Sequence, residues 1–148
     1  MPIANWWNER LGSSVRKSPS LGMFLKQCHT AGQERPTPLP LKYGPEDDNR
    51  LHQDLYGEWV FPLQLTVLLS EPGRDFTGGE FVLSEQRPRM QPRAEVARFG
   101  QGDGIVFAVN RRPVIDSRDR YRINLLHGVS HERSGHRQTL GVTFHDAA

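Results

Sequence analysis

The spacing of apolar and polar positions changes character once along the chain. Residues 20–29 carry apolar side chains at the i, i+3, i+4, i+7 spacing of one helix face, and Ser20 is a candidate N-cap. From residue 37 onward the chain breaks into short runs rich in Val, Ile, Leu, Thr and Phe, separated by Gly and Pro. These runs predict strands at 37–43, 51–56, 61–69, 80–84, 105–109, 121–130 and 137–146.

A helix followed by many short strands indicates a mainly β, α+β protein. Strands at such regular spacing are typical of a double-stranded β-helix, the cupin-like jelly-roll sandwich. We therefore predict a helical support segment at 1–34 and a double-stranded β-helix domain at 35–148. Pro38 and Pro40 interrupt the first strand, which places it at the edge of a sheet.

Composition is that of one globular domain and excludes few classes. The chain has 148 residues, with 19 basic against 17 acidic, so its charge is nearly balanced. Cys28 is the single cysteine, which excludes an internal disulfide. No apolar run approaches the roughly 20 residues of a membrane span, and the N-terminus lacks the pattern of a secretory signal. We expect a cytoplasmic protein with no membrane partner.

Arginine dominates the basic residues, since all but Lys17, Lys26 and Lys42 are arginine. Arginine favours phosphate and planar groups, so clusters of it are candidate nucleic-acid contacts at the rim of a site. A GC-rich genome that encodes basic surface positions as arginine is the simpler interpretation. The clusters are Arg87, Arg89, Arg93 and Arg98, then Arg111, Arg112, Arg118, Arg120 and Arg122.

His52, Asp54 and His127 are candidate metal ligands. In an extended segment His52 and Asp54 point the same way, and His127 comes from a distant predicted strand. Two histidines and one carboxylate are the ligands of a non-haem Fe(II) oxygenase. Taken alone, the first pair is more simply a loop histidine bonded to an acid. His131 competes with His127, but it falls at the predicted turn.

Arg137 follows His127 by ten residues, at the start of another apolar run. Its guanidinium can hold a carboxylate in a bidentate fork. A three-residue hairpin loop at 132–134 would pair His127 with Thr139. Arg137 would then lie roughly 7 Å along the strand, about the reach of a five-carbon diacid. Tyr56 and Thr139 are candidates to line that pocket, although either could simply fill the barrel. His136 and His145 are expected to be surface or sheet-end histidines.

Longer stretches of sequence carry a resemblance to a known family. They are RPTPL (35–39), LHQDLYGE (51–58), VFPLQ (60–64), LSEPGRDFTGGEF (69–81), HGVS (127–130), RSG (133–135) and RQTLGVTFHD (137–146). The chain resembles the bacterial 2-oxoglutarate/Fe(II) dioxygenases, most closely a group proposed to act on alkylated nucleic-acid bases. The resemblance implies Fe(II), 2-oxoglutarate and O₂, with ascorbate as a candidate reductant. It also implies His52, Asp54 and His127 as catalytic metal ligands and Arg137 on the distal carboxylate of 2-oxoglutarate.

Departures from the family pattern leave the substrate open. The base-demethylating AlkB type has a second arginine six residues after the first, where this chain has Thr143. The ten-residue interval between His127 and Arg137 equally resembles prolyl hydroxylases. Members of the group usually have a longer helical N-terminal region, so a truncated gene, a late start assignment and a compact variant are the alternatives for residues 1–34. The open functions are an oxygenase of alkylated bases, a protein (prolyl) or small-molecule hydroxylase, and a non-catalytic metal-binding jelly roll.

Overall fold

The computed structural model describes residues 2–115 and 120–148, so Arg118 lies outside the described residues, as does the side chain of Arg120. Two helices come first, α1 (Pro2–Arg10) and α2 (Leu21–Thr30). The strands are β1 (Leu39–Tyr43), β2 (Asn49–His52), β3 (Leu63–Leu68), β4 (Phe76–Gly78), β5 (Phe81–Gln86), β6 (Arg93–Ala97), β7 (Gly104–Ala108), β8 (Arg111–Ile115), β9 (Arg120–Val129), β10 (Glu132–Gly135) and β11 (Arg137–Thr143).

The predicted helix is confirmed as α2. The Ser20 side chain accepts a hydrogen bond from the Met23 N–H at 3.3 Å, which satisfies one of the free donors of the first turn. Phe24 and Cys28 are buried and pack with Phe61, which precedes β3. Burial of this apolar face fixes the helix against the β region. No helix in the described ranges is long and apolar enough to span a membrane.

The strands form two larger antiparallel sheets, which confirms the mainly β class. One has the order β1-β11-β3-β7, and the other has the order β2-β9-β5-β6 with β8 also paired to β9. Tyr43 and Phe107 from the first sheet share an apolar cluster with Phe81 and Val129 from the second. The sheets therefore face each other across a common core, an arrangement compatible with a jelly roll. β1 lies at an edge, as its prolines predicted.

The predicted hairpin between the last two long strands is wrong. β9 pairs with β2, β5 and β8, whereas β11 pairs with β1 and β3 in the facing sheet. Opposite His127 lie His52 and Leu83, and opposite Thr139 lie Leu41 and Leu68.

The cause is the connection between β9 and β11. It does not form a tight turn, because its strand β10 pairs with β4 in a separate two-stranded sheet. Gly135 packs so closely on the Asp75 backbone that a Cβ there would lie 2.1 Å from the Asp75 carbonyl oxygen. The connection therefore crosses from one sheet to the other. As a result, His127 and Arg137 lie on opposite walls of the sandwich.

Candidate metal centre

The structure brings His52, Asp54 and His127 together. Their potential ligand atoms all lie within 4.8 Å of one another. His52 Nε2 is 3.4 Å from Asp54 Oδ1, and His127 Nε2 is 3.3 Å from Asp54 Oδ2. Ligand bonds of about 2.0–2.2 Å that meet at a right angle place neighbouring ligand atoms about 3 Å apart. The three side chains thus have the spacing and the donor types to hold one metal ion.

Each histidine turns the same ring nitrogen toward Asp54. His52 Nδ1 is 2.6 Å from the Arg50 carbonyl oxygen, so it donates there and turns Nε2 toward the centre. The hydrogen bond to Asp54 raises the pKa of His52, against the opposing effect of burial. The ring of His127 packs on Phe107 with its centroid 4.8 Å away. These contacts fix both rings before any ligand binds.

The position of Asp54 comes from the segment after β2. Sequence analysis expected one strand over 51–56, but β2 ends at His52, so strand alternation does not place Asp54. Gln53 Nε2 donates to the Leu125 carbonyl oxygen at 2.7 Å, which fastens this segment to β9. Tyr56 Oη donates to Asp54 Oδ1 at 2.5 Å.

Hydrogen bonds keep the Asp54 carboxylate charged although it is buried. Burial alone would raise its pKa, but hydrogen bonds from His127, His52, Tyr56 and Gln64 hold the pKa well below its usual range. Burial and the bond to Asp54 together raise the pKa of Tyr56 to about 12. An ionised carboxylate with a fixed orientation is the state that a metal ligand requires.

Gln64 on β3 is a site residue that sequence analysis missed. Its Nε2 donates to Asp54 Oδ2 at 2.9 Å and lies 3.3 Å from His127 Nε2. Gln64 is 5% exposed, in a strand whose burial alternates strictly. Gln64 and Thr66 are both polar at inward positions of β3, between leucines and a valine, and that pattern was the signal that could have revealed a polar site.

Arg137 lines the same cavity of about 140 Å³ as the three candidate ligands. It is 2% exposed, and its Cζ lies 5.5 Å from the centroid of the Tyr43 ring. Within the described ranges no other arginine or lysine lines this cavity. Burial lowers the pKa of Arg137 from its usual range, and Glu132 opposes that effect. Tyr56, Thr139 and Thr143 also line the cavity, the last where the demethylase type has its second arginine.

The other histidines lie outside the cluster. His131 is exposed, and its Nε2 is 3.0 Å from Glu46. His136 is exposed as expected. His145, which follows β11, is 1% exposed rather than on the surface, and its Nδ1 accepts a hydrogen bond from the Phe61 N–H at 3.3 Å. Burial lowers the pKa of His145 to about 4.

The prediction that the arginine clusters form a patch at the rim of the metal site is wrong, because none of their described members lines the metal cavity. Arg87, Arg111 and Arg122 instead line one shallow groove of about 370 Å³. Along β9, His127 is buried while Arg122 and Asn124 are exposed. The groove therefore lies on the outer face of the sheet that carries His127. Arg112 pairs with Glu85.

Comparison with known proteins adds a family to this geometry. Residues 1–147 match a family described as an oxygenase catalysing oxidative methylation of damaged DNA. The chain belongs to this oxygenase family. Two uncharacterized proteins of Mycobacterium tuberculosis, from strains CDC 1551 / Oshkosh and H37Rv, are each 52% identical to it over 149 residues. The match covers 100% of this chain but 64% of each relative, so the chain spans less than two thirds of their length. No solved structure matches.

Proposed function

We propose that the protein is an Fe(II)- and 2-oxoglutarate-dependent oxygenase that removes alkyl groups from damaged DNA bases. The observation that carries this proposal is the shared cavity, in which the His52, Asp54 and His127 cluster and the buried Arg137 meet. A non-catalytic jelly roll would have no use for a buried guanidinium beside a metal site. Membership in an oxygenase family supports the same choice.

The residues present fit the implied metal and cosubstrate. His52, Asp54 and His127 would hold Fe(II), and Arg137 would bind the distal carboxylate of 2-oxoglutarate. When bound, these groups supply an oxidation in which 2-oxoglutarate and O₂ become succinate and CO₂, and one oxygen atom enters a substrate C–H bond. An N-methyl group hydroxylated in this way leaves the base as formaldehyde.

The chain's own residues orient the reactants and limit the access of water. Tyr56 and Gln64 hold the Asp54 carboxylate by its two oxygens. Phe81 and Phe107 wall the cavity beside His127. Thr139 is 2% exposed and offers a hydroxyl on the strand of Arg137. Fixed ligands and a sheltered cavity reduce the reorganisation that the reaction requires.

The proposal extends to the architecture. The two facing sheets are the two walls of a double-stranded β-helix over 35–148, and residues 1–34 are its helical support. Phe24 and Cys28 of α2 are buried against Phe61, which is the contact such a support would make. The site lies between the walls, as His127 on β9 and Arg137 on β11 face one cavity from different sheets.

Membership in a family described as acting on damaged DNA supports nucleic acid as the partner. The arginine groove, which lies on the outer face of the sheet and not at the rim of the metal cavity, is the candidate phosphate contact. Arg87, Arg111 and Arg122 line it, and no acidic side chain does so among the described residues. Phosphates neutralised there would release counterions, so binding should fall with salt. The target base would also have to leave its stack to reach the enclosed metal cavity.

Salt dependence tests this partner. Three phosphate contacts predict that oligonucleotide affinity falls about 40-fold between about 50 and 200 mM salt. Arg122→Gln should remove about one phosphate contact and so reduce the slope of affinity against salt concentration. Arg74→Gln is the control and should leave that slope unchanged, because Arg74 is exposed and pairs with Glu71 and Asp75. A flat salt response in the unmodified protein would contradict a nucleic-acid partner.

Turnover tests the reaction. With Fe(II), succinate should form from 2-oxoglutarate, and methylated oligonucleotides should stimulate it and release formaldehyde. Thr143, in place of a second arginine, favours a protein hydroxylase as the second candidate. Proline peptides therefore belong in the same screen, and stimulation by peptides alone would favour that candidate. No succinate with any substrate would contradict both.

A further inference from the structure

Glu132 on β10 is a buried carboxylate without a hydrogen-bond partner. It is 0% exposed, and both of its carboxylate oxygens lack a partner in the described part of the chain. Such a group is costly to bury in its charged form unless a nearby cation balances it. The metal ligands do not account for Glu132, because it belongs to the small sheet formed by β10 and β4.

The nearby cation is Arg137. A Cβ built on Gly79 would lie 2.5 Å from Glu132 Oε2 and 3.0 Å from Arg137 Cδ. The Glu132 carboxylate and the aliphatic part of the Arg137 side chain thus both pack against Gly79, which has a φ of +60°. Only glycine leaves room for both side chains there. The two side chains form no direct ion pair, so the guanidinium stays available on its cavity side.

The backbone fixes Glu132 in this place. Its N–H donates to the Asp47 carbonyl oxygen at 2.9 Å, and its carbonyl oxygen accepts from the Glu46 N–H at 3.0 Å. These bonds hold the backbone of Glu132, and the residue as a whole is enclosed, with 0% exposure. Burial raises the pKa of Glu132, Arg137 opposes that effect, and Asp47 and Glu80 add to it.

One guanidinium cannot balance two buried carboxylates. In the free protein, Glu132 and Arg137 together are neutral. When the distal carboxylate of 2-oxoglutarate meets Arg137, a charged Glu132 would be a second anion in the same enclosed region. Like charges in a poorly solvated site favour protonation of one of them.

We propose that Glu132 is the resting counter-ion of Arg137 and takes up one proton when 2-oxoglutarate binds. This inference rests on the proposed function, because it takes Arg137 as the site of the distal carboxylate. Glu132 acts through Arg137 and is a positioning residue, with no contact to the reacting atoms.

The sign of the pH dependence follows from the proton uptake. Affinity for 2-oxoglutarate should be constant at low pH, where Glu132 is already protonated. At higher pH there is an interval in which Glu132 is charged in the protein without 2-oxoglutarate but protonated in the complex. Across that interval the affinity should fall by up to about tenfold per pH unit. Glu132→Gln should bind at all pH values about as tightly as the unmodified protein binds at low pH.

Calorimetry of the Mn(II)-loaded protein with 2-oxoglutarate, in two buffers of different ionisation enthalpy, measures this proton directly. At a pH where Glu132 is charged before 2-oxoglutarate binds, the unmodified protein should take up close to one proton more per bound 2-oxoglutarate than Glu132→Gln does. Glu95→Gln is the control, because Glu95 is an exposed acid on β6 and is not among the groups that act on the pKa of Glu132. It should keep the uptake of the unmodified protein.

The outcomes separate this inference from the proposed function. Suppose that the unmodified protein binds 2-oxoglutarate. If Glu132→Gln then takes up as many protons as the unmodified protein, or binds 2-oxoglutarate more weakly than it at every pH, the counter-ion role is refuted and the proposed function stands. If the unmodified protein does not bind 2-oxoglutarate at any pH, the proposed function fails and the inference fails with it.

Discussion

Replacement of Arg137 by methionine should remove most of the affinity for 2-oxoglutarate and leave the affinity for Mn(II) nearly unchanged. Arg137 is 2% exposed and lies on the opposite sheet from His127. Its guanidinium is therefore placed to contact the far end of a diacid rather than the metal. Methionine keeps most of the apolar stem, so the cavity wall should stay packed.

The size of the effect follows from the burial of the contact. Hydrogen bonds to charged groups contribute about 1.5–3 kcal/mol, which corresponds to roughly a 10- to 150-fold change in affinity. The upper part of that range applies, because no other described lysine or arginine lines the metal cavity to substitute for the lost charge. Arg137→Lys keeps the charge but loses the fork, so its affinity should be intermediate.

Calorimetric titration of the Mn(II)-loaded variants with 2-oxoglutarate gives this affinity. Arg133→Met is the matched control, since Arg133 is exposed on β10 and shares a neighbouring cavity with Arg137 but does not line the metal cavity. Its affinity for 2-oxoglutarate should stay within about twofold of the unmodified protein. Unchanged affinity in Arg137→Met, with the protein folded and metal-loaded, would refute the assignment of the distal carboxylate.

Three further predictions concern the metal, the packing and the acid response. His127→Ala should abolish tight Mn(II) binding in a metal titration, while His131→Ala should not, because only His127 belongs to the ligand cluster. Gly135→Ala should lower the free energy of unfolding in urea by at least about 1 kcal/mol more than Gly73→Ala, since both have positive φ but a Cβ at Gly135 would lie 2.1 Å from the Asp75 carbonyl oxygen, whereas Gly73 has open space. Equal losses would contradict that packing. Burial lowers the pKa of His145 to about 4, so stability should be fully present above about pH 6.5 and decline as pH falls toward 4. His145→Asn should flatten that decline in urea unfolding at several pH values, and an unchanged slope would exclude His145 as its cause.

The sequence predicted those parts of the protein that depend on local pattern. The apolar spacing and the Ser20 cap identified α2, and two prolines identified β1 as an edge strand. The His52, Asp54 and His127 set was identified because two imidazoles and a carboxylate are a recurrent set of metal ligands, and the structure brings them together. In each case the residue types themselves carried the information.

Features that depend on long-range pairing could not be predicted in this way. The hairpin assumed that consecutive strands pair, but β10 pairs with the three-residue β4 and redirects the chain. Neither strand has an apolar pattern that would reveal the pairing. Gln64 and Glu132 were missed for a related reason, because their burial and the groups around them, Asp54 for Gln64 and the chain at Gly79 for Glu132, are set by the fold.

The most direct test of the central claim is anomalous diffraction from crystals of the protein with Mn(II) and 2-oxoglutarate. The account predicts one strong peak within roughly 2.0–2.3 Å of the nearest nitrogen of His52 and of His127 and of an Asp54 oxygen. The distal carboxylate of 2-oxoglutarate should lie on Arg137 in the same crystals. A peak at other residues, or 2-oxoglutarate bound away from Arg137, would contradict it.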